Sequence, residues 1–310
     1  MTAVLRCAHC GADNDVPGRY CRQCGQALDS APLKPGLVLN QRYRVAERFQ
    51  PEAGAAARAG FSCTIWKVED TATGRPMLLR EYDIDPRLKV ADALAKVAAF
   101  TRLRHAHIAA IVDLFDHAGH VMLIMESVGG RTLEDVLAEH PQGIPEARVL
   151  VWGDQLCSGL EYLHTQEPPV IYRDLRPAAV LVDPADRVQL VDFGYARLFR
   201  PEKTSDTRQM GTPGYVAPEM YERAQTDARS DIFSLGASLH RLLTRHQPGT
   251  TFPRLPRVRE LNPAVSPELE AVITRATRLE PRQRYPSAEA MGAALRACPA
   301  YRPPAATDPA

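Results

Sequence analysis

Four cysteines lie within the first 24 residues, as Cys7-Ala8-His9-Cys10-Gly11 and Cys21-Arg22-Gln23-Cys24-Gly25. Two residues between paired thiolates let both sulfurs face one ion, and the glycine after each second cysteine permits a tight turn. Four sulfurs complete the tetrahedron that structural zinc prefers. Cys7, Cys10, Cys21 and Cys24 are therefore the candidate metal ligands, and His9 stays outside a set that four sulfurs already close. A closed site has no position for substrate, so the expected zinc is structural. A segment this short buries little apolar surface, and metal binding must supply its folding free energy. Two disulfides are the competing reading. They need an oxidising compartment, and no apolar export-type stretch precedes Arg6, Cys7 and His9. Cys63, Cys157 and Cys298 are scattered.

A second group of residues able to do chemistry sits in mid-chain. It begins with Tyr172-Arg173-Asp174-Leu175-Arg176-Pro177-Ala178-Ala179-Val180-Leu181. Val191-Asp192-Phe193-Gly194 follows, then Gly211-Thr212-Pro213-Gly214-Tyr215-Val216-Ala217-Pro218-Glu219. Each string alone is weak; all three in this order and at these separations are specific. On them the chain resembles the protein kinases, in particular bacterial Ser/Thr kinases of the eukaryotic-like type, from about Leu39 to Leu295. Leu103-Arg104-His105-Ala106-His107-Ile108, Ser230-Asp231-Ile232-Phe233-Ser234-Leu235-Gly236 and Pro281-Arg282-Gln283-Arg284 fit the same family. The resemblance implies two lobes, ATP and magnesium as cofactors, and phosphoryl transfer to Ser or Thr, a reaction governed by positioning and electrostatics.

Carried over position by position, the resemblance makes Asp174 the base for the substrate hydroxyl. Arg176 replaces the family's lysine two residues later and keeps its charge; these two are the candidate catalytic residues. Asp192, Arg80, Glu126 and Val128 are the candidate cofactor-binding residues. Glu219 is expected to pair with Arg284, Asp231 to brace the catalytic loop, and Phe100, Tyr172 and Phe193 to stack in a hydrophobic column. A phosphate on Thr204, Ser205, Thr207 or Thr212 would meet Arg173, although Ser and Thr are also common in loops.

Other positions depart from the family. With Ile65 as the strand-two aliphatic residue, the glycine positions of the phosphate lid fall on Arg58, Gly60 and Cys63. Only Gly60 matches, and side chains at the other two obstruct the approach of backbone N–H groups to phosphates. The V-A-I-K segment reads Met77-Leu78-Leu79-Arg80. Arginine is a larger planar fork than lysine and does not replace it at a fitted site. The helix glutamate falls on Lys96, so two cations stand where the family has an ion pair. Ala179 stands at the second-metal asparagine and has no side-chain oxygen. Leu78 replaces the alanine above the adenine ring, and overpacking a fitted space costs about 1–3 kcal/mol. Tyr172 in place of the family's histidine carries no weight, and Lys67 and Lys96 read as solvated surface residues. Lid, lysine, glutamate and metal ligand act as a unit, so their losses compound. The expectation is a pseudokinase acting as a protein-binding scaffold or regulator, with ATP and magnesium disfavoured. The alternative is an ATP-dependent Ser/Thr kinase of weak or unconventional activity.

These residues need elements to hold them. Strands are expected at Arg42–Val45, Thr64–Val68, Met77–Arg80 and Val121–Glu126, and helices at Val90–Leu103, Glu146–His164, Asp231–Leu243 and Pro267–Arg278. Asp29 to Gly36 has linker composition, and Pro299 to Ala310 carries four prolines without periodicity. The expected fold class is α+β: a two-lobed protein kinase-like fold preceded by a small four-cysteine zinc ribbon. The ribbon spans 1–28, the linker 29–37, the small lobe about 38–127, the large lobe about 128–297, and a disordered tail 298–310. Net charge is +1, with 33 Arg but only 5 Lys, which excludes a basic nucleic-acid coat. Near the ribbon, Arg6, Arg19 and Arg22 are offset by Asp13 and Asp15, so no basic patch forms. An aliphatic run such as Val121 to Met125 is far short of the about 20 apolar residues of a spanning helix. A cytoplasmic protein with a protein partner, another kinase or its substrate, is expected.

Overall fold

The structure is a computed structural model and describes residues 4–6, 10–15, 23, 33–49, 63–82, 90–126, 130–199, 211–221, 225–249 and 255–303. The chain divides into two compact units, residues 1–104 with 110–127, and residues 105–109 with 128–310.

The first unit opens with a hairpin of β1 (Val4–Arg6) and β2 (Asp13–Asp15), paired antiparallel. Its main body is a six-stranded antiparallel sheet. The strands are β3 (Val38–Leu39), β4 (Tyr43–Phe49), β5 (Cys63–Asp70), β6 (Pro76–Tyr82), β7 (Ile111–His117) and β8 (His120–Glu126), in spatial order β3-β4-β5-β6-β8-β7. A helix, α1 (Val90–Ala98), precedes β7. It is shorter than the expected Val90–Leu103: residues 100–103 form turns in which Phe100 and Leu103 are buried.

Side chains alternate across a strand, so Met77 and Leu79 share one face of β6 while Leu78 and Arg80 share the other. The Met77 and Leu79 face packs with Tyr43, Val45, Trp66 and Val68. Leu33 joins this core at 5% exposure, and Gly36 and Leu37 exchange backbone hydrogen bonds with Val45, each at 2.8 Å. The described end of the linker segment is thus bound onto the sheet. Arg42 closes the base of β4 and β5 with two hydrogen bonds to the buried Asp70, at 2.9 and 2.7 Å. Asp70 also accepts from Thr73 Oγ1 and Ala72 N in the β5–β6 turn.

The second unit is mainly helical. It contains β9 (Arg131–Thr132), α2 (Leu133–Ala138), α3 (Glu146–His164), β10 (Val170–Ile171), β11 (Val180–Val182), β12 (Val188–Leu190) and β13 (Arg197–Leu198). After these come α4 (Pro218–Tyr221), α5 (Ala228–Thr244), α6 (Val258–Leu261), α7 (Pro267–Ala276) and α8 (Ala288–Arg296). Helix α5 is buried on nearly every side, which makes it the axis of this unit. It starts before the expected Asp231 because Asp227 caps it, accepting from Arg229 N. Ser266 and Ser287 cap α7 and α8 in the same way, and Pro267 occupies the first turn of α7.

Residues 105–109 group with this unit through backbone bonds from Leu190 N to His107 O and from Ala109 N to Leu190 O, each 3.0 Å. Composition alone misplaces the start of the tail. Cys298 is 4% exposed, and the Tyr301 hydroxyl donates to Asp154 Oδ2 at 2.7 Å. Residues 304–310 lie outside the described residues.

Candidate functional site

The loop after β10 carries Asp174, and its shape is imposed from α5. Asp231 accepts from Tyr172 N at 2.8 Å and Arg173 N at 2.7 Å, and His164 Nε2 meets the same carboxylate at 2.8 Å. This bracing holds Arg173 at φ +71°, a left-handed conformation that a non-glycine residue adopts only when its surroundings enforce it. The Asp231 brace expected from the sequence is present.

Asp174 is 1% exposed. Its Oδ1 accepts from Thr212 N and Thr212 Oγ1, each at 2.8 Å, and Arg176 Nε lies 3.3 Å from Oδ2. The two candidate catalytic residues therefore stand together. Gly211 makes this approach possible. It sits at φ +114°, and an added Cβ would come within 2.7 Å of Val216 Cγ2 and 3.1 Å of Arg173 O.

Asp192 is also buried, and its Oδ1 accepts from Gly194 N at 3.2 Å. Its backbone N–H donates to the Tyr172 hydroxyl at 3.1 Å, and that hydroxyl donates to Ala179 O at 3.4 Å. Tyr172 thus ties the Asp174 loop to the Asp192 loop, a role that the sequence reading did not assign to it. Its ring meets Phe193 edge-on at 5.4 Å, one contact of the expected hydrophobic column. Ala179 has no side-chain oxygen, and its carbonyl accepts from both Tyr172 and Val191 N.

The scaffold pair is also as expected. Arg284 binds Glu219 through two parallel bonds of 2.8 Å. It donates as well to the carbonyls of Arg278, Arg229 and Leu279, so all five guanidinium donors are used. Its plane lies 5.0 Å from the Phe233 ring centroid.

In the first unit, Arg80 is 6% exposed on the central strand β6, opposite Ile65 on β5 and Leu123 on β8. Leu78 is half-buried on the same face, opposite Lys67 and Met125. Lys67 is exposed and pairs with Glu47 at 2.7 Å, as its solvated reading predicts. Glu126 ends β8, exposed, opposite Met77 and hence on the other face from Arg80. Val128, Arg58, Gly60, Thr204, Ser205 and Thr207 lie outside the described residues, as do the side chains of Lys96 and Cys63.

At the N-terminus only Cys10 among the four candidate ligands is described; it is exposed in the turn between β1 and β2. Cys7, Cys21 and Cys24 lie outside the described residues. Among the described residues no group of three or more His, Cys, Asp or Glu side chains is assembled as a metal site.

The family described as protein kinase domain matches residues 59–293. This chain belongs to the protein kinase family. It is 30% identical over 296 residues to the serine/threonine-protein kinase PknL of Mycobacterium tuberculosis, covering 88% of this chain and 71% of that protein. It is 31% identical over 222 residues to the serine/threonine-protein kinase pkn2 of Myxococcus xanthus, covering 68% of this chain. The match spans only 25% of the Myxococcus protein's length. In three dimensions the chain is similar to the kinase domain of Mycobacterium tuberculosis PknI, with a TM-score of 0.68 and 22% identity over 85% of this chain and 98% of that one. That likeness establishes the fold: the two units are the strand-rich and helix-rich lobes of a protein kinase. Among the described residues no helix is long and apolar enough to cross a membrane.

Proposed function

We propose that this kinase-family chain is a pseudokinase, a regulator or scaffold that binds a protein partner, either another kinase or that kinase's substrate. The observation that carries this reading is Ala179. The family places an oxygen ligand for the second magnesium ion at this position. Here the residue's one oxygen, its carbonyl, already accepts from Tyr172 and Val191 N. Asp192 suits one cation, and the donor set for two is lacking. Leu78 and Arg80 on one face of β6 support the same reading, because a leucine replaces the small residue above the adenine and a guanidinium replaces the compact ammonium.

A specific observation favours a second reading, ATP-dependent Ser/Thr phosphorylation at low rate. Asp174 is buried and oriented by Thr212 and Arg176, as a base must be before it can receive a substrate proton. Phosphate transfer by wild-type protein and by Asp174→Asn, each with magnesium or manganese, separates the two. The pseudokinase reading predicts equal, background signals. Robust transfer abolished by the substitution would replace it with the second reading.

We further propose a structural zinc ion held by Cys7, Cys10, Cys21 and Cys24 in a cytoplasmic protein. The β1–β2 hairpin frames the first knuckle, and Gly11 adopts φ +74°, the turn conformation assigned to that glycine. Elemental analysis should find one zinc per chain and its loss in Cys21→Ser; full occupancy in the variant would remove the assignment.

A further inference from the structure

The large lobe carries a groove of about 830 Å³ far along the sequence from every residue of the nucleotide and catalytic loops. Three of its lining residues are Arg257, Arg275 and Arg278, and Glu270 is the one lining carboxylate. We propose that this groove docks an acidic peptide segment of a protein partner through these three arginines.

Their placement follows from the helix. Glu270, Thr274 and Arg278 recur every four residues, with Arg275 beside them, so α7 and the turn after it present one polar stripe. Arg257 reaches the groove from a different element, the N-cap position of α6. Arginines at the end of α7 suit the helix dipole, which accounts for Arg275 and leaves Arg257 unexplained.

All three arginines are exposed, and among the described residues none has a carboxylate within ion-pair distance. Most other arginines of this lobe are committed: Arg241 to Glu134, Arg284 to Glu219 and Arg296 to Asp154. The groove's own Glu270 accepts from Arg259 N at 2.9 Å through Oε1. Arg275 is preorganised, its guanidinium 4.2 Å from the ring centroid of the buried Tyr285. A guanidinium fork held against a ring, with five donors in one plane, suits planar, two-point carboxylate recognition.

The partner's chemistry is limited by charge. A nucleic acid needs many phosphate contacts along a basic track. This chain has net charge +1 and no lysine after Lys203, and three arginines in a concave groove match a short acidic segment instead. The proposal is independent of the pseudokinase reading, because no groove residue belongs to that site.

Fluorescence anisotropy of a glutamate-rich peptide and its glutamine counterpart, titrated with the full chain without nucleotide, tests the proposal. The glutamate peptide should bind and weaken with added salt, and the glutamine peptide should not bind. Arg275→Gln with Arg278→Gln should weaken binding about fivefold or more. Arg257→Gln alone should also weaken it, which keeps the test valid if the double variant fails to fold. Arg302→Gln, an exposed arginine elsewhere, should leave binding unchanged. Equal binding of the two peptides, no binding of either, or full binding by a folded double variant would overturn the proposal. So would a single-stranded oligonucleotide that displaces the peptide at lower concentration than unlabelled peptide does, which would assign the groove to nucleic acid.

Discussion

Thr212 donates both its backbone N–H and its hydroxyl to one oxygen of Asp174, each at 2.8 Å. The donors come from a segment 38 residues further along the chain, so the aspartate's orientation reports the fold of that segment. Thr212→Val keeps the shape and the backbone bond while removing the hydroxyl. A hydrogen bond to a charged group is worth about 1.5–3 kcal/mol, so urea unfolding should show a loss of that order. An unchanged midpoint would mean that water replaces the hydroxyl at no cost. The Thr212 hydroxyl serves Asp174, which makes Thr212 a poorer phosphorylation candidate than the sequence alone implies.

Arg284 uses every donor it has, in a site where its side chain is 0% exposed. Arg284→Lys retains the charge but offers a single point in place of a fork, and leaves carbonyls of Arg229, Arg278 or Leu279 without donors. Breaking one partner of a buried pair costs about 3–5 kcal/mol, and the lysine variant should approach that loss. Denaturant unfolding measures it directly, and a variant within experimental error of wild type would contradict the geometry.

Acid stability has an identifiable contributor. The Arg42 guanidinium, followed by Thr73 and Ala72 N, holds the Asp70 carboxyl well below the ordinary aspartate range. A lowered folded pKa contributes stability that is fully present above the unfolded value of about 3.9 and is lost as pH falls toward the folded value. The stability gap between wild type and Arg42→Ala should therefore be constant near neutral pH and narrow below about pH 4. A gap that widens on acidification would reverse the sign of this linkage.

The proposed loss of nucleotide binding allows cause to be separated from outcome. Leu78 and Arg80 share a face of β6, so trimming the leucine should open space beside an unchanged cation. Leu78→Ala should increase the thermal stabilisation given by adenosine, toward the about 2.7 kcal/mol that a ligand supplies at 100 times its Kd. Transfer should stay at background, because Ala179 is unaltered. Equal stabilisation of wild type and Leu78→Ala would show that the leucine does not limit the pocket.

Much of this was legible in the chain. Residue type and spacing picked out the three mid-chain strings, and the family resemblance they carry implied the Glu219–Arg284 pair and the Asp231 brace, because those relationships depend on side chains that the family motif names. Period-two and period-3.6 patterning located β5, β6, α3, α5 and α7 to within a few residues, since alternation and helical stripes are local properties.

Tertiary structure decided what local pattern cannot carry. Leu33 lies in a Pro- and Gly-rich stretch that reads as linker, yet it is buried because β4, β5 and β6 supply an apolar face to receive it. Tyr301 reads as tail, yet it is held by Asp154, 147 residues earlier. The two bonds that occupy the Ala179 carbonyl, and the phenol of Tyr172 that joins the Asp174 and Asp192 loops, are set by the close approach of backbone segments in space. A sequence states which groups exist. Which of them meet depends on the packing that brings distant segments within 3 or 4 Å, where hydrogen bonds and buried charges acquire their strength.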